Sequence, residues 1–401
     1  MRVLLISHTC QSQSEGQRKA YWLAQASDIE LCLLVPDRWH RYGQWREAEP
    51  AIDTSFRHEV GRVRWPWVGP AQTYLHWYPR LKHLLRDFRP DVIDLWEEPW
   101  SLVSAHTCWL AKRLLPRVKI VSETEQNIDK RLPPPFERLR RYTLSRADYA
   151  IGRSHGAVQV LRRKGYIGPA EVVPNAVDTA LFRPMDRASA RRRWGVDGFV
   201  VGYVGRLVAA KGIGDLIEAV SRMPAHRNPQ LLLAGVGDDR DRFQQLAHDR
   251  GIGQRVRFLG AQPLEALPSL MAAMDVLVLP SRTTPSWKEQ FGRVVIEAHA
   301  CGIPVLGSDS GAIPDVVGAG GRIVRERDPE ALSEALCWFA EHPQRARQMG
   351  EAGRRDSTAR CSWRAVADQM ANVYRRILSE SASEASAVPR AAPASPGKAA
   401  I

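Results

Sequence analysis

An alternation of short apolar segments with amphipathic segments runs along most of the chain and restricts it to one class of fold. Strands that alternate with helices across short loops are typical of a parallel sheet with helices on both faces. In the first half the predicted strands are VLLIS (3–7), ELCLLVP (30–36), DVIDLW (91–96), KIVSE (119–123) and DYAIG (148–152). The predicted helices between them are 16–27, 74–88, 101–115 and 135–146.

The alternation restarts after PNAVDTALFRP (174–184), so the sequence predicts a second domain of the same kind. Its predicted strands are 199–207, 229–235, 255–260, 275–281, 303–309 and 321–324. Its predicted helices are 213–222, 238–250, 263–273, 291–300 and 328–340. We therefore expect an α/β protein with two Rossmann-like, doubly wound domains, residues 1–183 and 184–361.

The chain ends with a strongly amphipathic helix predicted at 362–380, followed by an Ala-, Ser- and Pro-rich segment, 381–401. The last segment has too few apolar residues to pack, and we expect it to be a disordered tail.

The net charge of +13 indicates an anionic partner. Because no zinc-finger, RNA-recognition or leucine-zipper pattern accompanies it, no nucleic-acid partner is expected. An anionic membrane surface or a phosphorylated substrate fits better. Segments 74–89 and 136–146 mix Arg and Lys with aromatic residues and Leu, as interfacial helices do. Helices packed on the sheet with a basic outer side explain the pattern equally well.

No apolar stretch approaches the ~20 residues of a membrane span, and the first apolar run is too short for a signal peptide. The six cysteines show no CxxC pair and no metal-ligand spacing, which favours reduced thiols over a disulfide framework. These patterns predict a cytoplasmic protein, with the inner face of the membrane as a possible location.

The second domain contains a basic, glycine-containing loop, VGYVGRLVAAKGIGDLIEA (201–219), after its first predicted strand. Gly205 allows a close approach, while Arg206 and Lys211 supply positive charge at the carboxyl end of the sheet, where a diphosphate would bind. The alternative is that this loop is basic and binds no diphosphate. A second loop, AGVGDDR (234–240), places Gly235 and Gly237 at the next strand end.

The segment KEQFGRVVIEAHACG (288–302) carries two carboxylates, Glu289 and Glu297, with Phe291 and Gly292 between them. Alone, it reads as an ordinary helix start, because the helix dipole favours acids there. Beside the two glycine loops, it suits a nucleotide sugar lying across a helix N-terminus, with one carboxylate for ribose hydroxyls and the other for the sugar.

These motifs, together with CGIPVLGSDSGAIPDVV (301–317), resemble the retaining glycosyltransferases of family 4, which have the GT-B fold. The resemblance spans about 199–325 and is looser in 1–183. It implies two domains that face a cleft, with the last helix crossing back to the first domain. It also implies transfer of a sugar from a nucleoside-diphosphate sugar to a saccharide or lipid-linked acceptor, with retention and without metal or cofactor.

The resemblance also implies roles for the motif residues. Arg206 and Lys211 would bind the donor diphosphate and stabilise the leaving charge. Glu289 would meet the sugar hydroxyls, helped by the backbone at Phe291 and Gly292, and Glu297 would hold the ribose. The segment SQSEGQR (12–18) would correspond to the family's N-terminal glycine loop, with Gly16 near the donor phosphates.

The first domain departs from the family, which often has a histidine after the fourth strand of this domain. KIVSETEQNIDK (119–130) offers Glu123, Glu125 and Asn127 there, and DLWEEPW (94–100) replaces another histidine-containing strand end. We expect these residues to bind the acceptor, with Glu125 as a possible catalytic proton acceptor. The alternative is that these carboxylates lie in solvent-exposed loops and bind no ligand. The acceptor-binding candidates are Trp96, Glu97, Glu98 and Asn127, with Trp100 as a second possible stacking platform.

His8 and His155 are interpreted as loop or packing residues, although both follow predicted strands. Two other functions remain open at this stage. One is a nucleotide-sugar epimerase of the same fold, which the full set of motifs disfavours. The other is a nucleotide-sugar-binding protein without turnover, suggested only by the missing histidine.

Overall fold

The computed structural model of the protein describes residues 1–41, 44–65 and 70–387. Parallel strands of the first domain form one seven-stranded sheet with the order β5-β2-β1-β6-β7-β8-β9. Strands β3 and β4 form a separate antiparallel hairpin. The strands are β1 (Arg2–Ile6), β2 (Glu30–Pro36), β3 (Arg38–Arg41), β4 (Gln44–Glu47), β5 (Arg57–Gly61), β6 (Val92–Leu95), β7 (Lys119–Thr124), β8 (Tyr149–Gly152) and β9 (Ala170–Val172).

Helices cover both faces of this sheet. Two of them begin at serine caps, since the Ser101 and Ser154 side chains accept hydrogen bonds from the backbone N–H groups of Ser104 and Ala157. The helices are α1 (Arg18–Ala24), α2 (Pro70–Leu75), α3 (Leu81–Phe88), α4 (Leu102–Leu114), α5 (Pro134–Arg146) and α6 (His155–Arg163).

The second domain contains a six-stranded parallel sheet with the order β12-β11-β10-β13-β14-β15. Its strands are β10 (Phe199–Val204), β11 (Pro229–Ala234), β12 (Val256–Gly260), β13 (Val276–Leu279), β14 (Val305–Ser308) and β15 (Gly321–Val324). The remaining helices are α7 (Arg187–Trp194), α8 (Ile213–Arg222), α9 (Arg240–Asp249), α10 (Leu267–Ala272), α11 (Arg293–Ala300), α12 (Ile313–Val317), α13 (Pro329–Glu341), α14 (Pro343–Cys361) and α15 (Trp363–Ala387).

Each sheet has a switch point where the chain changes direction. Strand β1 lies between β2 and β6, and β10 lies between β11 and β13. Ligands of open α/β sheets bind in the crevice outside the carboxyl ends of the strands at such points. A ligand site is therefore expected at the loops that follow these strands.

Helix α15 returns to the first domain, as the sequence predicted. Its apolar residues, among them Val366, Met370 and Tyr374, share a buried cluster with Val3 and Leu5 of β1. The return occurs beside the outgoing connection between the domains, because the Val177 N–H donates to the Cys361 carbonyl over 2.7 Å. The chain thus crosses between the domains twice at one place.

Some elements differ from the predictions. The predicted helix 74–88 is two helices, α2 and α3, because Pro79 disfavours helical backbone at the residue before it. The edge strands β5 and β9, which are not fully buried, the hairpin strands β3 and β4, and helices α6, α7, α12 and α14 were not predicted. Helix α15 reaches Ala387, so the predicted tail start at 381 is wrong; 388–401 lie outside the described residues.

Candidate active site

A cavity of about 420 Å³ lies between the two domains, at the carboxyl ends of β1, β6 and β7 and beside the start of α11. Carboxylates dominate its first-domain wall, and backbone and aromatic groups near α11 form the opposite wall. Its lining residues are His8, Thr9, Glu15, Thr73, Trp96, Glu97, Glu98, Glu123, Thr124, Glu125, Asn175, Ala176, Glu289, Gln290, Phe291, Gly292, Arg293 and Trp363.

Glu289 is held by four polar contacts and is only 8% exposed, and one of them is the Ala312 N–H, which donates to its carbonyl over 3.1 Å. Lys211 Nζ lies 2.6 Å from its Oε2, and Ser281 Oγ donates to the same oxygen over 2.9 Å. From the first domain, Asn127 Nδ2 donates to the Glu289 carbonyl over 2.7 Å. The structure therefore brings together Lys211 and Glu289, the two residues predicted to bind the sugar donor, and connects Glu289 to the first domain.

Asn127 was predicted to bind the acceptor, but its amide group is used for this contact between the domains. Its side chain is 3% exposed and does not line the cavity. Ser281 was not predicted, and neither was Trp287, whose ring centroid lies 4.7 Å from Lys211 Nζ. The cation–π contact and the carboxylate together fix the ammonium group.

The glycines of the basic loops allow two loops to touch through their backbones. Gly235 has a φ of +142°, and a Cβ atom there would lie 1.8 Å from the Gly205 carbonyl oxygen. A Cβ on Gly237 would lie 2.3 Å from the Leu207 oxygen. The guanidinium of Arg206 is exposed, and no hydrogen bond or ion pair holds it within the described part of the chain.

Helix α11 begins at the cavity. Gly292 precedes it in the left-handed conformation, with a φ of +86°, which glycine adopts without strain. Phe291 is buried, while Gly292 and Arg293 line the cavity, so the unpaired N–H groups of the first helical turn lie next to it. This position suits an anionic ligand.

Glu297 lies one turn after Arg293 on α11 and is half-buried. Burial raises the pKa of its carboxyl group, and the positive charge of Arg293 opposes that shift. It does not line the cavity that contains Glu289. Its predicted ribose contact therefore falls outside this cavity and stays a prediction.

Glu97 is buried beneath the cavity wall and bonded to His8. Its Oε2 lies 2.7 Å from His8 Nδ1, and its Oε1 accepts the His8 backbone N–H over 2.6 Å. His76 Nε2 lies 3.8 Å from Oε1. These two histidines outweigh the cost of burial and lower the pKa of Glu97 to about 2. The position of Glu97 suits a support for His8 better than a contact with the acceptor. His8 lies in the loop after β1, as interpreted, and it also lines the cavity.

Glu98 and Glu125 form the adjacent part of the wall. Thr124 Oγ1 donates to Glu98 Oε2 over 2.5 Å, and the Glu125 N–H donates to Oε1 over 3.0 Å. Burial nevertheless raises the pKa of Glu98 to about 8, so its carboxyl group retains a proton near neutral pH. Both side chains line the cavity, as expected for acceptor-binding residues.

Behind this wall lies a buried cluster of titratable groups, in which burial and the neighbouring Glu123 raise the pKa of Asp94 to about 7. Lys19 Nζ contacts Asp94 Oδ2 at 2.8 Å and also bonds to Glu123, which in turn pairs with Arg153. Both cations lie near the ring of Trp96, at 4.8 and 4.9 Å from its centroid. Buried charges need such partners because removing them from water is costly. Glu123 and the two cations are therefore committed to the structure.

Two further predicted residues have packing roles. Gly16 lies in the turn Gln13–Gln17, where a Cβ atom would come within 2.8 Å of the Cys10 backbone. Trp100 is 7% exposed, packs near Tyr74 with ring centroids 6.4 Å apart, and does not line the cavity. Neither position shows a contact that would meet a donor phosphate or a sugar.

Comparisons with known proteins match both halves of the chain. The family model described as Glycosyltransferase Family 4 matches residues 25–181, and that described as Glycosyl transferases group 1 matches 185–356. A D-inositol 3-phosphate glycosyltransferase of Corynebacterium jeikeium is 33% identical over 303 residues, covering 71% of this chain and 68% of that protein. The chain belongs to glycosyltransferase family 4. The predicted family and enzyme class are thereby confirmed.

One further relative supports this assignment, and one solved structure shares the fold. A GDP-mannose-dependent monoacylated alpha-(1-6)-phosphatidylinositol monomannoside mannosyltransferase of Corynebacterium glutamicum is 33% identical, covering 59% of this chain and 61% of that protein. The structure of a sucrose-phosphate synthase from Thermosynechococcus elongatus superposes with a TM-score of 0.71 at 23% identity, covering 95% of this chain and 100% of that one. The structural likeness confirms the predicted GT-B fold.

Across 1–41, 44–65 and 70–387, no group of three or more His, Cys, Asp and Glu side chains is arranged to hold a metal ion. Within the same part of the chain, no helix combines the length and apolar character needed to cross a membrane.

Proposed function

We propose that this family 4 glycosyltransferase moves a hexosyl group from a nucleoside-diphosphate sugar to an uncharged, hydroxyl-rich acceptor, with retention and without metal. The observation that carries the proposal is the Lys211–Glu289 pair at the edge of the interdomain cavity, beside the start of α11. The cation can bind the diphosphate, and the carboxylate can bind the sugar hydroxyls. The helix N-terminus can stabilise the negative charge of the leaving group.

The chemistry follows from where charge develops. As the bond between the anomeric carbon and the diphosphate breaks, negative charge grows on the leaving oxygen. Lys211 and the exposed Arg206 supply positive charge for that oxygen, and the N–H groups at the start of α11 add to it. These groups perform the task often given to a metal ion, which is why metal-independent transfer is proposed.

The donor proposed is GDP-mannose, because the name of the Corynebacterium glutamicum relative, like that of a similar mannosyltransferase of Mycolicibacterium smegmatis, specifies it. The acceptor needs a different argument, since those relatives act on phosphatidylinositol mannosides and others on D-inositol 3-phosphate. Glu125 and Glu98 line the acceptor side here, while Lys19 and Arg153 behind it are paired with Asp94 and Glu123. On the described part of this wall a phosphate group would meet the Glu15 and Glu125 carboxylates and no uncommitted cation, so an uncharged acceptor fits better.

Attachment to an anionic membrane surface is proposed as electrostatic. Leu81, Leu85 and Phe88 of α3 are buried against the sheet, so that helix has no apolar face left for lipid. Helix α5 exposes Arg138 and Arg141, and it packs against α4, whose Trp109 is 48% exposed. Basic side chains with an exposed tryptophan favour a lipid headgroup region. Binding to anionic vesicles at low salt that disappears at high salt supports this; no binding at low salt refutes it.

The decisive experiment measures release of GDP from GDP-mannose with three acceptors: myo-inositol, D-inositol 3-phosphate, and phosphatidylinositol in vesicles. UDP-glucose serves as the alternative donor, and EDTA tests for metal. We expect turnover with myo-inositol to exceed that with its phosphate, and NMR of the product to show the donor's anomeric configuration. Conversion of the nucleotide sugar to an epimer, or no nucleotide release with either donor, would overturn the proposal.

A further inference from the structure

The pair formed by His8 and Glu97 lies at the cavity and has no role in the donor chemistry described above. His8 follows β1 and Glu97 follows β6, and these two strands are neighbours in the sheet. Both residues are therefore at the carboxyl edge, at the switch point of the first domain. The His8 side chain is 27% exposed, whereas the Glu97 side chain is fully buried.

The geometry determines which nitrogen of His8 carries the proton. Glu97 is ionised, so it can only accept hydrogen bonds. His8 Nδ1, at 2.7 Å from Oε2, must then be the donor. In the neutral ring Nε2 consequently carries the lone pair, and it can accept a proton.

The ring is also held in place by its neighbours. It stacks on Trp39 with centroids 4.6 Å apart and planes inclined by 21°. The backbone N–H of His8 donates to the second oxygen of Glu97. A histidine that is fixed by a buried carboxylate and a stacked aromatic ring, with its edge at a cavity, is arranged as a base rather than as a packing residue.

We propose that His8 Nε2 is the base that takes the proton of the acceptor hydroxyl, and that Glu97 is its positioning residue. The bond to the diphosphate breaks with its electron pair on the diphosphate, and the acceptor oxygen bonds to the anomeric carbon on the face that the diphosphate leaves, so that the configuration is retained. The proton of the acceptor hydroxyl passes to Nε2 in this step. The imidazolium that forms is stabilised by the Glu97 carboxylate. The proton then returns to solvent or to the departing nucleotide. This inference rests on the proposed glycosyl transfer and adds the identity of the base.

Other titratable groups face His8 and contribute to its charge state. His76 contacts the shared carboxylate from the segment after α2. Glu15, Glu98 and Glu125 line the same cavity, and Arg46, Glu47 and Glu49 line a smaller cavity of about 150 Å³ on the other side of His8. These charges surround His8, and none of them replaces the direct bond from Glu97.

The test compares H8Q and E97Q with H155Q in the full chain. His155 also follows a strand, β8, but it is exposed and does not line the cavity. GDP release from GDP-mannose is followed against pH with myo-inositol as the acceptor. If myo-inositol is not used, the slower hydrolysis of the donor, with water as the acceptor, supplies the rate. Melting temperatures and GDP affinity show whether each variant is folded.

We expect H8Q to lower kcat about 100-fold or more, with little change in donor affinity, and to remove the fall in rate at low pH. E97Q should retain that fall but reduce kcat at least about tenfold, because the ring loses its fixed tautomer. H155Q should match the wild type. If the wild type turns over and the pH profile of H8Q is identical to that of H155Q, His8 is not the base. If the wild type shows no turnover, the proposed function is wrong instead. If H8Q does not fold, a pH profile of folded E97Q that matches the wild type in rate and shape overturns the pair.

Discussion

Asn127 and Glu289 join the two domains directly across the cavity, through a 2.7 Å hydrogen bond from the Asn127 side chain to the Glu289 carbonyl. The carbonyl that accepts this hydrogen bond belongs to the same residue, Glu289, whose carboxylate is predicted to bind the donor sugar. The position of this carboxylate is therefore coupled to the position of the first domain.

The first prediction concerns this bond. In N127A the Glu289 carbonyl keeps the Ala312 N–H as a donor but loses the Asn127 amide, at a cost of about 0.5–1.5 kcal/mol if the domains remain together. The domains would more often be apart, and we expect kcat/KM to fall roughly tenfold with a change of only a few degrees in melting temperature. N372A is the control, because Asn372 is exposed on α15, away from the cavity. Equal rates for the two variants would show that the bond has no role in turnover.

The second prediction concerns the donor charges. Replacing Lys211 by Ala removes both the cation for the leaving oxygen and the partner of Glu289, so kcat should fall about 100-fold or more. R206A should also lower kcat, but without disturbing Glu289, because no contact joins its guanidinium to that side chain. In a double-mutant cycle, K211A and E289Q should be non-additive. R242A, at an exposed arginine, should behave as the wild type.

The third prediction is that Glu297 acts in donor binding, whereas Lys211 and Arg206 act on the rate of transfer. Since Glu297 does not line the cavity with Glu289, E297A should mainly weaken donor binding and leave kcat at saturating donor nearly unchanged. Calorimetric titration with GDP-mannose measures the first quantity and steady-state rates the second. A large loss of kcat with unchanged affinity would contradict the ribose assignment.

The fourth prediction is a pH dependence of stability. The pKa of Glu98 is raised to about 8 in the folded protein, above its ordinary value of 4.5. Between these values the folded state binds the extra proton, so the free energy of unfolding should fall as pH rises from about 4.5 to about 8. E98Q mimics the protonated group and should flatten this part of the profile. Melting temperatures from pH 5 to 9 test it, with E334Q on the exposed face of α13 as the control; equal slopes in both variants would refute it.

Much of the fold could be predicted because buried parallel strands leave continuous apolar runs in the sequence. The donor motifs could be found because each is contiguous, as in the segment that contains Glu289, Phe291 and Gly292. The His8–Glu97 pair is different. Its members are 89 residues apart, and they meet only because β1 and β6 are adjacent in the sheet. Helix α14 was missed for another reason: Gly350 and Gly353 weaken a helical pattern, yet they permit close packing against Gly302 and His299.

The last prediction concerns Glu125, which stands where relatives often carry a histidine. Its backbone N–H is bonded to Glu98, and its half-buried side chain lines the cavity. With His8 as the base, Glu125 would accept a hydrogen bond from an acceptor hydroxyl. An amide oxygen can do the same, so E125Q should keep at least about a third of the activity. E125A should raise the KM for the acceptor roughly tenfold, which corresponds to one lost hydrogen bond of about 1.4 kcal/mol. Rates against myo-inositol concentration, measured across pH, distinguish the two roles. If E125Q is as damaging as E125A and removes the fall in rate at low pH, Glu125 is the base, and His8 has been given the wrong function.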